Sequence, residues 1–434
     1  MKKMYHSEKY PPGYTSSSVV YEVNLRQYTP EGSLKAFAEH LPRLKKMGID
    51  ILWFMPVHPV GKVNRKGSYG SYYSVRDYTA LNPDLGTFDE FKQLVTQIHA
   101  LGMYAIIDWV ANHSAWDNVW TESHPEYFSK DENGGFMCRV KDWSDVIDLN
   151  YNEPGLRRAM IDAMKFWVRE ADIDGFRCDV AMMVPYDFWE DARAELDAIK
   201  PVFMLAEAED PMHHIASFDA SYSWELMNTL EDIARGKKPV KALDDVLQID
   251  RLTFPAKAYR LRFVTNHDEN SWNGSEFERL GHAADACAVL SYTLPGMPLM
   301  YSGQEAALNR KLAFFDKDCI EWNTFHKESF FTKLNRLKHD LSCLHNGSHG
   351  GEMIRIETGD ERLFAFIRYK YDEVVVVLLN ITNSTVNTDV SLPVRFTGLY
   401  HNYFDGYNIP LESRNAFSVA AGGYKVFIRK PETE

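Results

Sequence analysis

Short apolar runs that end on a polar or charged residue, each followed by a stretch of helical period, constrain this chain more than anything else in it. Residues 19–24, 51–56, 104–108, 175–180, 202–207, 218–222, 262–265 and 299–301 read as buried strands. A continuous apolar run suits a strand covered on both faces, and the helices between such runs supply the cover. Eight strand–helix units predict an α/β chain closed into a (β/α)8 TIM barrel. The helix signals agree. Ser33 opens a helix expected to run to Met47, with Gly48 as its stop, and Thr87 with Glu90 forms a capping box for the next. Residues 155–171 are amphipathic, with Trp167 on the apolar face.

Two stretches break the alternation. Residues 109–154 are rich in Asn, Asp, Ser, Gly and Trp and lack helical period, which is too long for a plain loop and predicts a short inserted subdomain after the third strand. After about residue 346 the pattern turns to alternation and continuous β-runs, which predicts an antiparallel C-terminal β-sandwich. The expected units are therefore 1–108 and 155–345 for the barrel, 109–154 for the insertion and 346–434 for the sandwich.

Charge and cysteine usage narrow the functions. A formal net charge of −13 argues against a nucleic-acid surface and against a polybasic membrane anchor, while a neutral sugar is compatible with it. The five cysteines, Cys138, Cys178, Cys287, Cys319 and Cys343, include no C-x-x-C pair, so neither a disulfide framework nor a zinc knuckle is expected. The first eight residues carry no apolar segment behind Lys2 and Lys3, and no run is long enough to span a bilayer, so a cytoplasmic protein is expected. The last residues, 430–434, are expected to fray.

Barrel active sites lie where the strands end. The polar residues there are Asp108, Arg177, Asp179, Glu207, Asn266, His267 and Asp268. A strand repeat of two sets Arg177 and Asp179 on one side, with Cys178 facing away. Ion pairing at the barrel top explains any one of these acids about as well as function does; it explains all of them together poorly. Retaining glycoside hydrolysis needs a carboxylate nucleophile, a carboxylic acid close to it and a further negative group for the oxocarbenium-like transition state. In that scheme Arg177 should keep Asp179 ionised, and nearby carboxylates with partial burial should leave a proton on Glu207.

These residues resemble glycoside hydrolase family 13, the α-amylase family, from about Val19 to Lys430. Asp108-Trp-Val-Ala-Asn-His113, Gly175-Phe-Arg-Cys-Asp179, Ala206-Glu207 and Val264-Thr-Asn-His-Asp268 are similar to four of its motifs and stand in its order. Tyr72-Tyr-Ser-Val-Arg-Asp-Tyr78 is similar to its segment after the second strand. The resemblance implies that Asp179 is the nucleophile, Glu207 the acid/base and Asp268 the transition-state stabiliser. It implies that Tyr73 stacks on the sugar at the point of cleavage, that His113 and His267 donate to its hydroxyls, and that Asp108 and Arg177 complete the sugar site. It implies cleavage of α-1,4-glucosidic bonds in starch, glycogen or maltooligosaccharides, with no cofactor for the chemistry. Met183 replaces the Lys or His often found four residues after the nucleophile, which leaves glucanotransfer or sucrose or trehalose conversion as alternatives. Asn112 matches a position that often binds calcium, with Asp145 and Asp148 as candidate partners, or else orients its loop by hydrogen bonds. A non-catalytic carbohydrate binder should lack one of the three acids, and a metal-dependent barrel would use His113, His267 and Asp108 as ligands. Of the loop aromatics, Tyr69, Tyr72, Trp109, Trp116, Trp120, Trp143 and Trp272 are the candidates for a sugar platform.

Overall fold

A computed structural model describes residues 11–430, so the expectations for the first eight residues and for 431–434 lie outside the described part. Eight parallel strands close into a barrel: β1 (Val20–Val23), β2 (Ile51–Phe54), β3 (Tyr104–Val110), β4 (Gly175–Asp179), β5 (Phe203–Ala206), β6 (Ala220–Tyr222), β7 (Tyr259–Arg262) and β8 (Met297–Tyr301). Closure is through β1 and β8, with Val20 opposite Leu299. Val20, Ile51, Ile106, Phe203, Leu261 and Leu299 fill the interior, so the barrel is a packed core beneath its polar rim. Gly175 opens β4 at φ +154, where a Cβ would lie 1.9 Å from the Phe203 carbonyl oxygen; only glycine admits so close a neighbour strand.

Three expectations are corrected. The seventh strand lies at Tyr259–Arg262 and not at 262–265. Tyr259 and Leu261 point inward, while Arg260 and Arg262 point out and are neutralised by Asp250 at 3.3 and 2.7 Å. Those two charges hide the strand, and the apolar Phe263-Val264 that follows is loop. The helix expected from Ser33 to Met47 is two, Leu34–Ala38 and Leu41–Met47, because Pro42 lies in the first turn of the second and cannot continue the first. The third strand continues past Asp108 to Val110. The capping box is present in full, with Thr87 accepting from the Glu90 amide and Glu90 from the Thr87 amide.

The insertion is built on a two-stranded sheet in which His113–Ala115 pairs with Val146–Asp148, with two short helical turns, Trp120–Ser123 and Pro125–Tyr127, between them. The C-terminal part is an antiparallel β-sandwich of a six-stranded sheet and the pair Val386–Ser391 and Arg414–Val419, with its own core around Val376 and Phe427. Arg368 ties it to the barrel by donating to the carbonyls of Thr293 at 2.9 Å and Cys343 at 2.7 Å. Among the described residues no helix is long and apolar enough to cross a membrane.

Candidate active site

Arg177, in the middle of β4, organises the barrel mouth. Its side chain is fully buried, and such a charge is tolerated only if it is paired. Its Nη1 donates to Asp108 Oδ1 at 2.9 Å and to Asp179 Oδ1 at 3.0 Å, and its Nη2 lies 2.9 Å from Glu207 Oε2. Its Nε donates to the Tyr222 hydroxyl at 3.3 Å, and the Trp53 ring lies 5.0 Å from its guanidinium carbon. Acids from β3, β4 and the end of β5 thus converge on one cation. Val180, directly after Asp179, adopts φ 35 and ψ 47, a strained conformation for a β-branched residue. The strain turns its amide to Glu207 Oε2 at 2.7 Å.

The charges are uneven. Burial, and then the Glu207 carboxylate, push the Asp179 carboxyl well above the ordinary carboxylate range, and Arg177 offsets only part of this. The expectation that Arg177 dominates at Asp179 therefore does not hold. Burial likewise pushes Asp108 up to about 6 against the pull of Arg177 and His267. Three carboxylates thus face one guanidinium.

The two histidines differ. Burial lowers His113 to about 4, so it is neutral at physiological pH. Its Nδ1 lies 3.1 Å from Asn112 Nδ2, which fixes the proton on Nε2, 3.8 Å from Asp179 Oδ2. At His267 burial lowers the value, but Asp268 and Glu22 together outweigh it and raise the imidazole to about 9, so it is a cation. Glu22 of β1 bonds His267 Nδ1, and Nε2 reaches the Tyr73 hydroxyl at 2.7 Å and Asp268 Oδ2 at 3.2 Å. The Tyr73 hydroxyl in turn donates to Asp108 Oδ2 at 3.1 Å. Both ring nitrogens of His267 are thus engaged within the site, Nδ1 by Glu22 and Nε2 by Tyr73 and Asp268.

Tyr73, His113, Asp179, Glu207 and Asp268 all line one cavity of about 180 Å³, together with Trp143, Trp272, Phe314 and Phe315. Asp108, Arg177 and His267 lie beneath it, fully buried or nearly so. Every candidate sugar-site residue is thus at this mouth.

The catalytic-domain model of the alpha-amylase family matches residues 14–143 and 139–342. The chain belongs to the alpha-amylase family. An alpha-amylase, MalA of Haloarcula japonica, is 27% identical over 408 residues, covering 89% of this chain but 58% of its own length. Among solved structures, a maltogenic alpha-amylase of Thermotoga neapolitana superposes with a TM-score of 0.87 at 31% identity, covering 96% of this chain and 99% of that one. An alpha-amylase of Lactobacillus plantarum gives 0.86 at 28% identity, with 96% and 100% covered. The mouth just described is thus that of an alpha-amylase catalytic domain.

Within this alpha-amylase site, only Trp143 and Trp272 of the candidate aromatics line the cavity. Trp109 is core, packed on His58 and Phe176; Tyr72 is buried under the Arg26 guanidinium, 3.7 Å from its ring centre. Trp120 stacks on Tyr78, and Trp116 donates to the Ser144 carbonyl. Sequence reasoning missed Glu22, Lys66, Phe314 and Phe315. For Glu22 the signal was a charge inside an apolar strand run; for the two phenylalanines there was none beyond their adjacency.

At the Asn112 position the oxygens are already engaged. Asn112 Oδ1 accepts from Arg139 Nη2 at 3.3 Å, and Asp148 Oδ2 from Arg139 Nε at 2.7 Å and the Arg139 amide at 3.0 Å. Asp145 is paired with Lys66 at 2.9 Å. Arg139 thus engages Asn112 and Asp148 together, which orients this loop by hydrogen bonds, while Lys66 holds Asp145.

Proposed function

We propose that this protein is a retaining α-glycoside hydrolase that cleaves α-1,4-glucosidic bonds in starch, glycogen or maltooligosaccharides by double displacement. One observation carries the reading: Asp179 and Glu207 grip the two ends of one buried guanidinium at the floor of a sugar-sized cavity. Two carboxyl groups held on one guanidinium support the closely spaced pair that a retaining mechanism uses. With a glucan bound, Asp179 attacks the anomeric carbon while Glu207 gives its proton to the leaving oxygen. Glu207 then takes a proton from the water that cleaves the covalent glucosyl intermediate. Asp268, one-third exposed and unpaired by arginine, is the negative group left to face the oxocarbenium-like ring. The imidazolium of His267, the Nε2–H of His113 and the Tyr73 ring hold the sugar at the point of cleavage. Proton NMR during hydrolysis of maltotetraose is expected to show the α-anomer of the product first; the β-anomer first would sink the reading.

Hydrolysis and transfer share every one of these steps up to the covalent intermediate. Met182 is half exposed and Met183 stands where a polar contact to an acceptor is common, and the chain also resembles an α-1,4-glucan:maltose-1-phosphate maltosyltransferase of Rhodospirillum rubrum, 30% identical over 54% of this chain and 36% of that one. Disproportionation of maltotriose in excess over release of free sugar would move the assignment to glucanotransfer. A cytoplasmic setting is supported by the five cysteines, all free.

The Arg139 contacts support an inserted subdomain that stands without calcium. Thermal unfolding is expected to be unchanged, within a degree or so, by a chelator in excess or by millimolar calcium. Arg139→Ala, which removes the guanidinium from the buried Asp148 but keeps its bond to the backbone amide, is expected to cost about 1–2 kcal/mol of stability. A clear fall in melting temperature of the wild type with chelator would reverse the inference.

A further inference from the structure

The cleft has one end that the reaction itself does not require and that the fold has closed. Residues 60–72 cross the barrel mouth as a strap. At one side it is tied to the inserted subdomain: Lys66 Nζ pairs with Asp145 Oδ1 at 2.9 Å and donates to the Asp142 carbonyl at 2.5 Å, and the Lys62 amide donates to Asp117 Oδ1 at 3.0 Å. At the other it is tied to the loop after β8. The Ser68 amide and hydroxyl donate to Asp316 Oδ1 at 2.8 and 2.6 Å, and the amides of Tyr69 and Gly70 donate to the Phe315 carbonyl at 2.9 and 3.2 Å. Gly67, at φ +62, lies where a Cβ would stand 2.6 Å from Phe315 Cβ and 2.8 Å from its carbonyl oxygen. The strap therefore touches that loop as closely as a backbone can. Lys66, Ser71 and Phe315 form part of the cavity wall, and the cavity's 180 Å³ falls below the roughly 300–1,000 Å³ of ordinary ligand clefts.

Position gives the strap its meaning. In a closed barrel of eight strands, β1 lies across from β5, flanked by β2 and β8. Glu207 follows β5; the strap leaves β2 and is bonded to the loop after β8, so it walls the rim opposite Glu207. The leaving sugar departs on the side of the acid that protonates it, and the remainder of the glycosyl donor extends the other way. From this we infer that residues 60–72 close the donor end of the cleft, so that a glucan enters by its non-reducing end and is shortened in small units. The inference rests on the α-1,4-glucan reading above, with Glu207 as the acid.

Maltoheptaose labelled at its reducing end tests it, used free and with the 4- and 6-hydroxyls of the non-reducing glucose tied up as a benzylidene acetal. The wild-type enzyme is expected to leave long labelled products first from the free sugar and to cut the blocked sugar at least about 100-fold more slowly. Untying the strap with Lys66→Ala plus Asp316→Ala, which removes the tie to Asp145 and the acceptor of both Ser68 bonds, should raise the rate on the blocked sugar at least about tenfold, with a smaller change on the free one. Equal rates on free and blocked sugar in the wild type, or no gain on the blocked sugar in the untied variant, overturn the strap's role. Failure to cut either sugar strikes at the α-glucan reading instead, so the two failures are told apart.

Discussion

Asp179→Ala is expected to lose about 10⁴-fold or more in kcat on maltooligosaccharides, some 5 kcal/mol of barrier, because it removes the group that forms the covalent intermediate. The loss alone would not distinguish a nucleophile from a residue that merely holds Arg177. Azide does. The alanine leaves a gap on the face of the sugar from which Asp179 attacks, and Arg177 remains to attract an anion into it. With α-maltosyl fluoride, a substrate that needs no protonation to depart, azide is expected to restore turnover and to give the β-configured azide. Glu207→Ala should behave differently: with the same fluoride the intermediate still forms, azide replaces the water that no longer has a base, and the product is the α-azide. Opposite anomers from the two variants would assign the two roles. The same anomer from both, or an Asp179→Ala enzyme that keeps a tenth of its activity without azide, would remove Asp179 from the nucleophile's place.

Much of this site was legible in the sequence because the barrel converts order along the chain into convergence in space. Asp108, Asp179, Glu207 and Asp268 each stand at or near the end of an apolar run, and parallel strands bring all such ends to one mouth. The spacing of Arg177 and Asp179 set both on one side of β4, which the shared 3.0 Å contact now displays. What escaped notice depends on partners remote in sequence. Glu22 matters because β1 closes beside β8 and carries it under His267, a contact spanning 245 positions. Strand β7 was misplaced because its outward arginines are neutralised by Asp250, on a helix that comes before it, and a pattern of alternating charge does not disclose its counter-ion. The balance at Asp179 was misjudged for a related reason. A nearby arginine argues for a depressed carboxyl, yet three acids share this one, and the desolvation that buries them all acts on each. The strap was invisible, since its hold on Phe315 and Asp316 is mostly made by backbone amides.

Arg177→Gln should be the most destabilising single change at this site, by about 3–5 kcal/mol at neutral pH, because it strips the counter-ion from carboxylates that stay buried. The glutamine keeps a polar tip but no charge, so Asp108, Asp179 and Glu207 are left to repel one another in a desolvated space. Folding then favours their protonated forms. Carboxyls raised above their unfolded values stabilise the fold below those values, near pH 4, and lose that contribution as pH rises through the folded ones. Asp108 already sits at about 6 with the arginine present, so removal should push the loss of stability to begin within the neutral range. The gap in melting temperature between wild type and variant should therefore be wide at pH 8 and narrow markedly toward pH 5. A lysine at the same place restores the charge but not the two-ended grip, since one ammonium cannot span Asp179 and Glu207 as the guanidinium does. Arg177→Lys should then recover most of the stability and little of the activity. If the gap for the glutamine variant were the same at pH 5 and pH 8, electrostatic pairing would not be what Arg177 contributes. Its role would reduce to packing against Trp53 and Tyr222.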